Sequence, residues 1–256
     1  MRLALLSSDQ VLAASLLTGL AEAGHIVHVF DEKQSFLRDL GRESFDLVLV
    51  DGAPFGTGLQ RFLRQVLMAS ISGVPLICIN CDDNETRLAD AFALGVDDFI
   101  RRGVGCREIC ARIDAVLRRL YPRQRQGDRQ LDYPPYCFDL ETRTAWRVDA
   151  EVRLTEKEFA LAVFLFQNEG RLFSRGHLME MVWRGQPSVQ SRTIDTHISR
   201  IRRHLMIQPE NGYRLVAAYG TGYRLDRICE TWVSPLLTVD LPGGGGDYSR
   251  EIRAAL

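Results

Sequence analysis

The sequence lacks any long hydrophobic segment. A membrane-spanning helix needs about 20 consecutive apolar residues, and no apolar run in this 256-residue chain approaches that length. The amino-terminal residues MRLALLSSDQ also lack a basic region followed by a long apolar stretch and a small-residue cleavage site, the pattern of a secretory leader. We therefore expect a cytoplasmic protein without a membrane partner.

The sequence also lacks the glycine motifs that cradle phosphates in nucleotide-binding enzymes. Neither GxGxxG nor the P-loop pattern, GxxxxGKS or GxxxxGKT, follows the first apolar segment, RLALL. Ser7, Ser8 and Asp9 come directly after that segment, but the sequence places no histidine to complete a nucleophilic triad with them. We therefore predict that the protein is not an enzyme.

Cysteine is sparse and scattered, which excludes a dense disulfide scaffold and is typical of a reducing compartment. Cys78 and Cys81 form a CxxC pattern inside the apolar segment VPLICIN, where a buried thiol on a strand is favoured over redox or metal chemistry. Cys106 and Cys110 stand one helical turn apart without the two further ligands that zinc needs. The remaining cysteines are Cys137 and Cys229. We predict no metal-thiolate site and no cofactor.

The chain has little net charge, −1 at pH 7, but the charge is unevenly distributed. Residues 1–120 carry 13 Lys and Arg against 16 Asp and Glu, whereas residues 121–256 carry 19 against 17. One short stretch of the second half holds several arginines and a single acid, Asp195; these arginines are Arg184, Arg192, Arg200, Arg202 and Arg203. Such a local basic stripe is typical of a helix that contacts phosphates.

The first half alternates short apolar runs with segments of helical period. This pattern predicts a (βα)₅ domain over residues 1–119, and the continuously apolar runs FDLVLVD and VPLICIN predict strands buried on both faces of a doubly wound parallel sheet. Function collects at the carboxyl ends of strands in such sheets. The side chains expected there are Ser7, Ser8, Asp9, Asp51, Asn80 and Arg102.

The second half has a different pattern. Residues 120–131 are polar and rich in charge, so we predict a linker there and a second domain over residues 132–227. Three short strand-like pieces, three helices and a hairpin around YGTGYRL predict a winged helix. Thr155 and Glu158 in LTEKEF form a capping box that begins the first of these helices. The glycine-rich residues 228–256 are expected to be a flexible tail.

The segment SRTIDTHISRIRRHL combines an apolar stripe with a polar side. Its apolar residues, Ile194, Ile198, Ile201 and Leu205, recur at three- and four-residue spacing. The opposite side carries cations and hydroxyls suited to phosphates and base edges: Arg192, Thr193, Thr196, His197, Arg200 and Arg203. An ordinary solvated helix face is the alternative interpretation of the same pattern.

Four motifs, LTEKEF, SRGHLMEMVW, RTIDTHISRIRRHL and YGTGYRL, resemble in order and spacing the effector domain of OmpR/PhoB-family response regulators over residues 150–226. The resemblance implies that the third helix enters the major groove of double-stranded promoter DNA. It also implies that Arg175 and Trp183 shape the phosphate interface, although Trp183 is equally compatible with the core. The hairpin would be the wing, with Tyr219 and Thr221 near its tip and Gly220 and Gly222 providing a permissive turn.

Residues 1–119 resemble the flavodoxin-like receiver domain of the same family, with Asp51 as the candidate phosphoacceptor. Relatives carry two acids after the first strand, a Thr or Ser after the fourth and Lys-Pro after the fifth. Here these positions are Ser7-Ser8, Asn80 and Arg102-Gly103. Because this acid pair binds Mg²⁺ and the Lys neutralises developing charge, we predict an atypical receiver that depends little or not at all on phosphorylation.

The alternative is a conventional receiver that a sensor histidine kinase phosphorylates on Asp51, with a weak Mg²⁺ site at Asp9 and Asp51. The resemblance also implies a homodimer through the receiver, with Asp97, Asp98 and Arg112 as candidates for ion pairs between subunits, and a contact with RNA polymerase. Individual surface charges of this kind contribute little, so ordinary surface roles for these three residues remain open.

Overall fold

The computed structural model describes residues 1–71, 73–82, 85–121, 129–184 and 192–228. The predicted linker core, 122–128, and the predicted tail beyond residue 228 lie outside these ranges. None of the described helices is long and apolar enough to cross a membrane.

The N-terminal domain is the predicted doubly wound sheet. Its parallel strands are β1 (Arg2–Leu6), β2 (Ile26–Phe30), β3 (Leu47–Asp51), β4 (Leu76–Cys81) and β5 (Asp98–Arg101), in the order β2-β1-β3-β4-β5. Its helices are α1 (Gln10–Glu22), α2 (Lys33–Leu40), α3 (Leu59–Ala69), α4 (Glu85–Ala93) and α5 (Cys106–Leu120). The central strands β1 and β3 are buried along their whole length, because helices cover both faces of the sheet. This confirms the predicted fold class.

The C-terminal domain is a winged helix-turn-helix preceded by a small antiparallel sheet. The sheet contains β6 (Gln130–Tyr133), β7 (Tyr136–Asp139), β8 (Thr144–Arg147) and β9 (Ala150–Val152). The remaining elements are α6 (Glu156–Gln167), β10 (Phe173–Ser174), α7 (Arg175–Val182), α8 (Arg192–His204), β11 (Tyr213–Ala218) and β12 (Gly222–Arg227).

The strand count before α6 is a correction to the sequence interpretation, which gave three strands and a linker reaching residue 131. Gln130 lies opposite Asp139 and Tyr133 opposite Tyr136, so the polar segment QLDY is an edge strand of the sheet. The sequence interpretation missed this strand because it is polar. An edge strand with one face in water needs no continuous apolar run.

The capping box that begins α6 is confirmed. The Thr155 hydroxyl accepts a hydrogen bond from the Glu158 amide, and the Glu158 carboxylate accepts one from the Thr155 amide at 2.9 Å. The apolar side of α6 packs on Tyr136, Phe138 and Tyr213 in the core of the domain. This core seats helix α8.

The two domains contact each other through polar groups at the amino-terminal edge of the parallel sheet. Asp46, which directly precedes β3, is 2% exposed and accepts hydrogen bonds from the Arg2 amide and the Arg171 guanidinium, both at 2.7 Å. The His177 Nε2 atom lies 3.5 Å from the same carboxylate. Burial alone would raise the pKa of Asp46, but the neighbouring His177 and Arg171 lower it far below its ordinary value.

Further contacts extend this interface. The Arg2 guanidinium bonds Glu43 at 2.8 Å and Glu180 of the C-terminal domain at 2.9 Å. The Ser174 amide donates to the Ser44 hydroxyl at 2.8 Å. The charged groups on both sides of the contact pair with each other, whereas the buried His177 Nε2 atom has no hydrogen-bond partner.

Candidate nucleic-acid interface and receiver pocket

Helix α8 buries its apolar stripe and presents its polar side outward. Ile194, Ile198, Ile201 and Leu205 are at most 1% exposed, as the spacing predicted. On the opposite side Thr196, Arg200 and Arg203 are exposed, and Thr193 and His197 are half-buried. The side chain of Arg192 lies outside the described part of the chain. The exposed cations and hydroxyls at the described positions thus form the outer surface of α8, where Arg200 lies 3.7 Å from the Glu158 carboxylate.

Asp195 holds α8 against the rest of the domain. Its Oδ1 atom accepts hydrogen bonds from the Tyr223 hydroxyl at 2.7 Å and from Arg175 Nε at 2.9 Å. Burial opposes the charged form, but these two partners lower the pKa of Asp195. Arg175 also lies over the Tyr223 ring, with 5.1 Å between the guanidinium carbon and the ring centroid.

The sequence interpretation assigned Arg175 to the phosphate interface and counted Asp195 only as the acid of a basic stripe. In the structure, Arg175 and Asp195 form a clamp with Tyr223. The Arg175 guanidinium therefore binds α8 through Asp195. The sequence carries no local signal for this clamp, since 20 residues separate Arg175 from Asp195 and 28 separate Asp195 from Tyr223.

Trp183 belongs to the core and does not form part of the outer surface. It is 5% exposed, and its ring lies edge-on to His197 with 5.1 Å between centroids. The His197 ring is held further by a 2.8 Å contact between Nδ1 and the Thr193 carbonyl oxygen. Trp183 thus supports a residue of the polar side of α8 from within the core, which is the alternative that the sequence left open for it.

The β11–β12 hairpin forms the wing, and Tyr219 at its tip is fully exposed. Gly220 has φ of +73°, a backbone conformation that favours glycine. Thr221 is half-buried, and its amide donates to the Ala218 carbonyl at 3.1 Å. Gly222 has a different role from the one expected. A Cβ atom there would collide with the Phe173 carbonyl of β10, so glycine permits close strand packing and not the turn.

Asp51, the candidate phosphoacceptor, is 2% exposed and already hydrogen-bonded on both oxygens. Ser7 Oγ donates to Oδ2 at 2.8 Å, and the Ala53 amide donates to Oδ1 at 3.1 Å. Ser7 Oγ in turn accepts from the Asp9 amide at 3.1 Å. The hydroxyl that replaces an acid in this chain therefore binds the aspartate directly.

Asp9, Ser8 and Arg102, the other residues predicted for the pocket, do not contact the Asp51 carboxylate through their side chains. The Asp9 carboxylate caps α1 by accepting from the amides of Val11 and Leu12, while Ser8 is exposed. Arg102 pairs with Asp82 on the rim at 3.7 Å. Mg²⁺ is usually bound through one or two carboxylates, and waters or phosphate oxygens complete its octahedral geometry. In this structure the carboxylates of Asp9 and Asp51 both accept hydrogen bonds from protein donors.

Asn80, which the resemblance places where a switch hydroxyl was expected, has a backbone φ of +54° within β4. The pairing with β5 shifts register between Cys78 and Cys81, so the strand bulges at this residue. Asn is one of the few non-glycine residues that adopts such a conformation readily.

Asp98 and Arg112, expected as candidates for ion pairs between subunits, contact each other within the chain at 3.6 Å, and Arg112 also binds Glu108 at 2.9 Å. Asp97 accepts a hydrogen bond from the Leu76 amide at 2.9 Å. These contacts give each residue a role inside one subunit.

Comparison with known proteins agrees with this architecture. Residues 149–225 match the family described as "Transcriptional regulatory protein, C terminal". The chain is 31% identical over 227 residues to the sensory transduction protein RegX3 of Mycolicibacterium smegmatis, covering 87% of this chain and 97% of that relative. It is 29% identical over 233 residues to the transcriptional regulatory protein CreB of Escherichia coli, covering 86% and 96%.

A solved structure, the OmpR/PhoB homologue DrrB of Thermotoga maritima, matches with a TM-score of 0.41 and 22% identity, covering 88% of this chain and 98% of DrrB. The similarity to RegX3 extends over both domains and nearly the whole length of that relative. The chain therefore belongs to the OmpR/PhoB family of two-component response regulators and is a DNA-binding transcription regulator.

Proposed function

We propose that this regulator binds promoter DNA through the polar side of α8 and the wing, and that its DNA binding does not depend on phosphorylation of Asp51. The observation that carries the first part is the exposure of Thr196, Arg200 and Arg203 on a helix whose other side is buried. Arg192, Thr193 and His197 complete this side in the sequence, and Arg175 and Trp183 position it.

The tip of the wing adds an uncharged contact with DNA through Tyr219. Tyr219 at the tip brings a ring and a hydroxyl to the backbone of the duplex, whereas an arginine would bring a cation to a narrow minor groove. Thr221 stands next to it on the same loop. The wing of this protein therefore contributes less to the salt dependence of binding than the helix does.

Phosphorylation independence is supported by the contacts around Asp51. A phosphoryl donor would have to displace Ser7 from a buried carboxylate, without Mg²⁺ held by an acid pair and without the lysine that neutralises developing charge. Arg102, the cation in that region, is paired with Asp82.

The position of the domain interface supports the same proposal. The contacts with the C-terminal domain lie at the amino-terminal ends of β1 and β3, and Asp51 lies at the carboxyl end of β3. Five residues of strand, about 15 Å, separate the two ends. Among the described residues, the hydrogen-bond partners of Asp51 are Ser7 and Ala53 of its own domain, so a change at Asp51 has no direct contact there with the effector domain.

A homodimer through the receiver is the arrangement in which two effector domains read two half-sites about one helical turn apart. RNA polymerase is the further partner that a transcription regulator of this kind engages. Phosphorylation of Asp51 by a sensor histidine kinase is the alternative mode of control, and the experiment on Asp51 below distinguishes it.

The DNA interface is tested on a duplex selected from random fragments by the full chain. Arg200→Ala should weaken binding to the selected duplex about 10-fold or more, because it removes a cation from the groove-facing side. Arg118→Ala, which removes an exposed arginine from α5 of the other domain, is the control and should bind normally. Equal binding by both variants would contradict the assigned interface.

Phosphorylation is tested with Asp51→Asn in the full chain. We expect the same affinity for the selected duplex as in the wild type, with and without acetyl phosphate and Mg²⁺. Covalent labelling of Asp51 accompanied by tighter DNA binding, lost in Asp51→Asn, would establish the conventional mechanism instead.

A further inference from the structure

The CxxC cysteines of β4 lie against each other beneath the receiver pocket. The Sγ atoms of Cys78 and Cys81 are 2.6 Å apart, and the two residues are 0% and 2% exposed. In a regular strand, residues three apart point to opposite faces. Here the bulge at Asn80 places the side chains of Cys78 and Cys81 on the same side of the sheet, where both belong to one buried hydrophobic cluster.

The neighbouring strand leaves room for the two sulfurs. A Cβ atom at Gly52 would lie 2.8 Å from Cys81 Sγ and 3.1 Å from Cys78 Sγ, closer than side-chain atoms pack. Gly52 directly follows Asp51, so the dithiol sits beside the candidate phosphoacceptor. Asn80, Gly52 and the cysteine pair thus form one arrangement, and a side chain at residue 52 would disrupt it.

One of the two thiols borders a cleft. A cavity of about 130 Å³ is lined by Cys81 and Asp82 from β4 and its end, by Gly52, and by Phe99 of β5. The cleft is large enough for a small oxidant, whereas Cys78 lies behind Cys81. The contact with Cys81, together with burial, raises the pKa of Cys78. Cys81 borders the cleft and is therefore the sulfur that an oxidant reaches first.

We propose that Cys78 and Cys81 are a redox-sensitive dithiol that a hydroperoxide converts to an intramolecular disulfide. Cys81 Sγ attacks one peroxide oxygen and the O–O bond breaks; the hydroxide or alkoxide that leaves takes up the Cys81 thiol proton as water or an alcohol, giving a sulfenic acid on Cys81. Cys78 Sγ then attacks the Cys81 sulfur, the S–S bond forms, and hydroxide leaves with the Cys78 proton as water. The two thiols together lose two electrons, and one peroxide gains them.

The test uses the folded full chain treated with hydrogen peroxide, then unfolded in an alkylating agent and digested with trypsin. Cys78 and Cys81 both fall in peptide 65–87, apart from every other cysteine. We expect this peptide to lose two hydrogen atoms, to resist alkylation, and to recover both alkylation sites after reduction with a dithiol. In the Cys78→Ser variant, a sulfenic acid on Cys81 should instead be trapped by dimedone.

The second cysteine pair is the matched control. Cys106 and Cys110 of α5 are partly exposed, with 4.0 Å between their sulfurs. A double variant, Cys106→Ser with Cys110→Ser, should still form the 78–81 disulfide at the wild-type rate. Cys78→Ala provides a second variant in case Cys78→Ser does not fold, and circular dichroism checks folding of each.

Two results would overturn the proposal. One is full alkylation of peptide 65–87 after peroxide while Cys106 and Cys110 become oxidised, since reactivity would then follow exposure alone. The other is equally fast 78–81 disulfide formation in the denatured chain, because the folded geometry would then contribute nothing.

Discussion

Replacing Asp46 with alanine tests the contact between the two domains. The carboxylate accepts from the Arg2 amide and from Arg171 and lies next to the His177 ring, so its loss leaves a buried amide and a guanidinium without their partner. Removing one partner of a buried ion pair costs about 3–5 kcal/mol. Arg171 is 25% exposed and can partly rehydrate, so we expect the lower end, about 3 kcal/mol.

The assay is chemical denaturation followed by two probes. The three tryptophans are Trp146, Trp183 and Trp232, all in the C-terminal half, so fluorescence reports that half while far-ultraviolet circular dichroism reports both domains. We expect the two transitions to coincide in the wild type, whereas Asp46→Ala should lower stability in both signals and separate them. Asp46→Asn keeps an acceptor oxygen and should lose less.

The pH dependence follows from the lowered pKa of Asp46. Because the folded state holds this pKa below the ordinary value of 3.8, its contribution is complete above that value and is lost as the pH falls below it. Asp46→Asn should therefore show a weaker loss of stability in acid than the wild type. A stability within about 0.5 kcal/mol of the wild type for Asp46→Ala, as for surface substitutions, would refute the reasoning.

Two further predictions concern the winged helix. Asp195→Ala removes the acceptor shared by Arg175 and Tyr223; because the carboxylate is about half exposed, we expect a cost of about 1 kcal/mol by thermal unfolding and weaker DNA binding by a less fixed α8. Gly222→Ala forces a methyl group against the Phe173 carbonyl, and since backbone cannot move aside as a side chain can, we expect about 3 kcal/mol of destabilisation by denaturation.

Both predictions have direct checks. Asp195→Asn retains an oxygen that can accept from the Tyr223 hydroxyl, so it should keep more DNA affinity than Asp195→Ala; the reverse order would contradict the clamp. Gly58→Ala, at a position with open space around a Cβ atom, is the control for Gly222→Ala. Equal stability of these two glycine variants would contradict close packing at residue 222.

The differences at the receiver pocket have a common physical pattern. Ser7 bonds Asp51, Asp9 caps α1, and Asn80 supports a strand bulge. Ser7 and Asn80, two of the residues that depart from the family pattern, therefore each have a structural task, and the neighbouring Asp9 carboxylate caps a helix. The sequence showed the departures, but the partners became visible only in three dimensions.

The two domains, the parallel sheet, the capping box at Thr155 and the buried stripe of α8 could all be predicted from the amino-acid sequence. These features follow from local periodicity and short-range hydrogen bonds, which one stretch of chain encodes. Four features became visible only in the folded protein. Asp195 clamps α8, Trp183 lies in the core, Gly222 allows β12 to pack closely on β10, and Asp46 joins the two domains. Each of these depends on groups distant in sequence, and no spacing along the chain records which of them meet when the core closes.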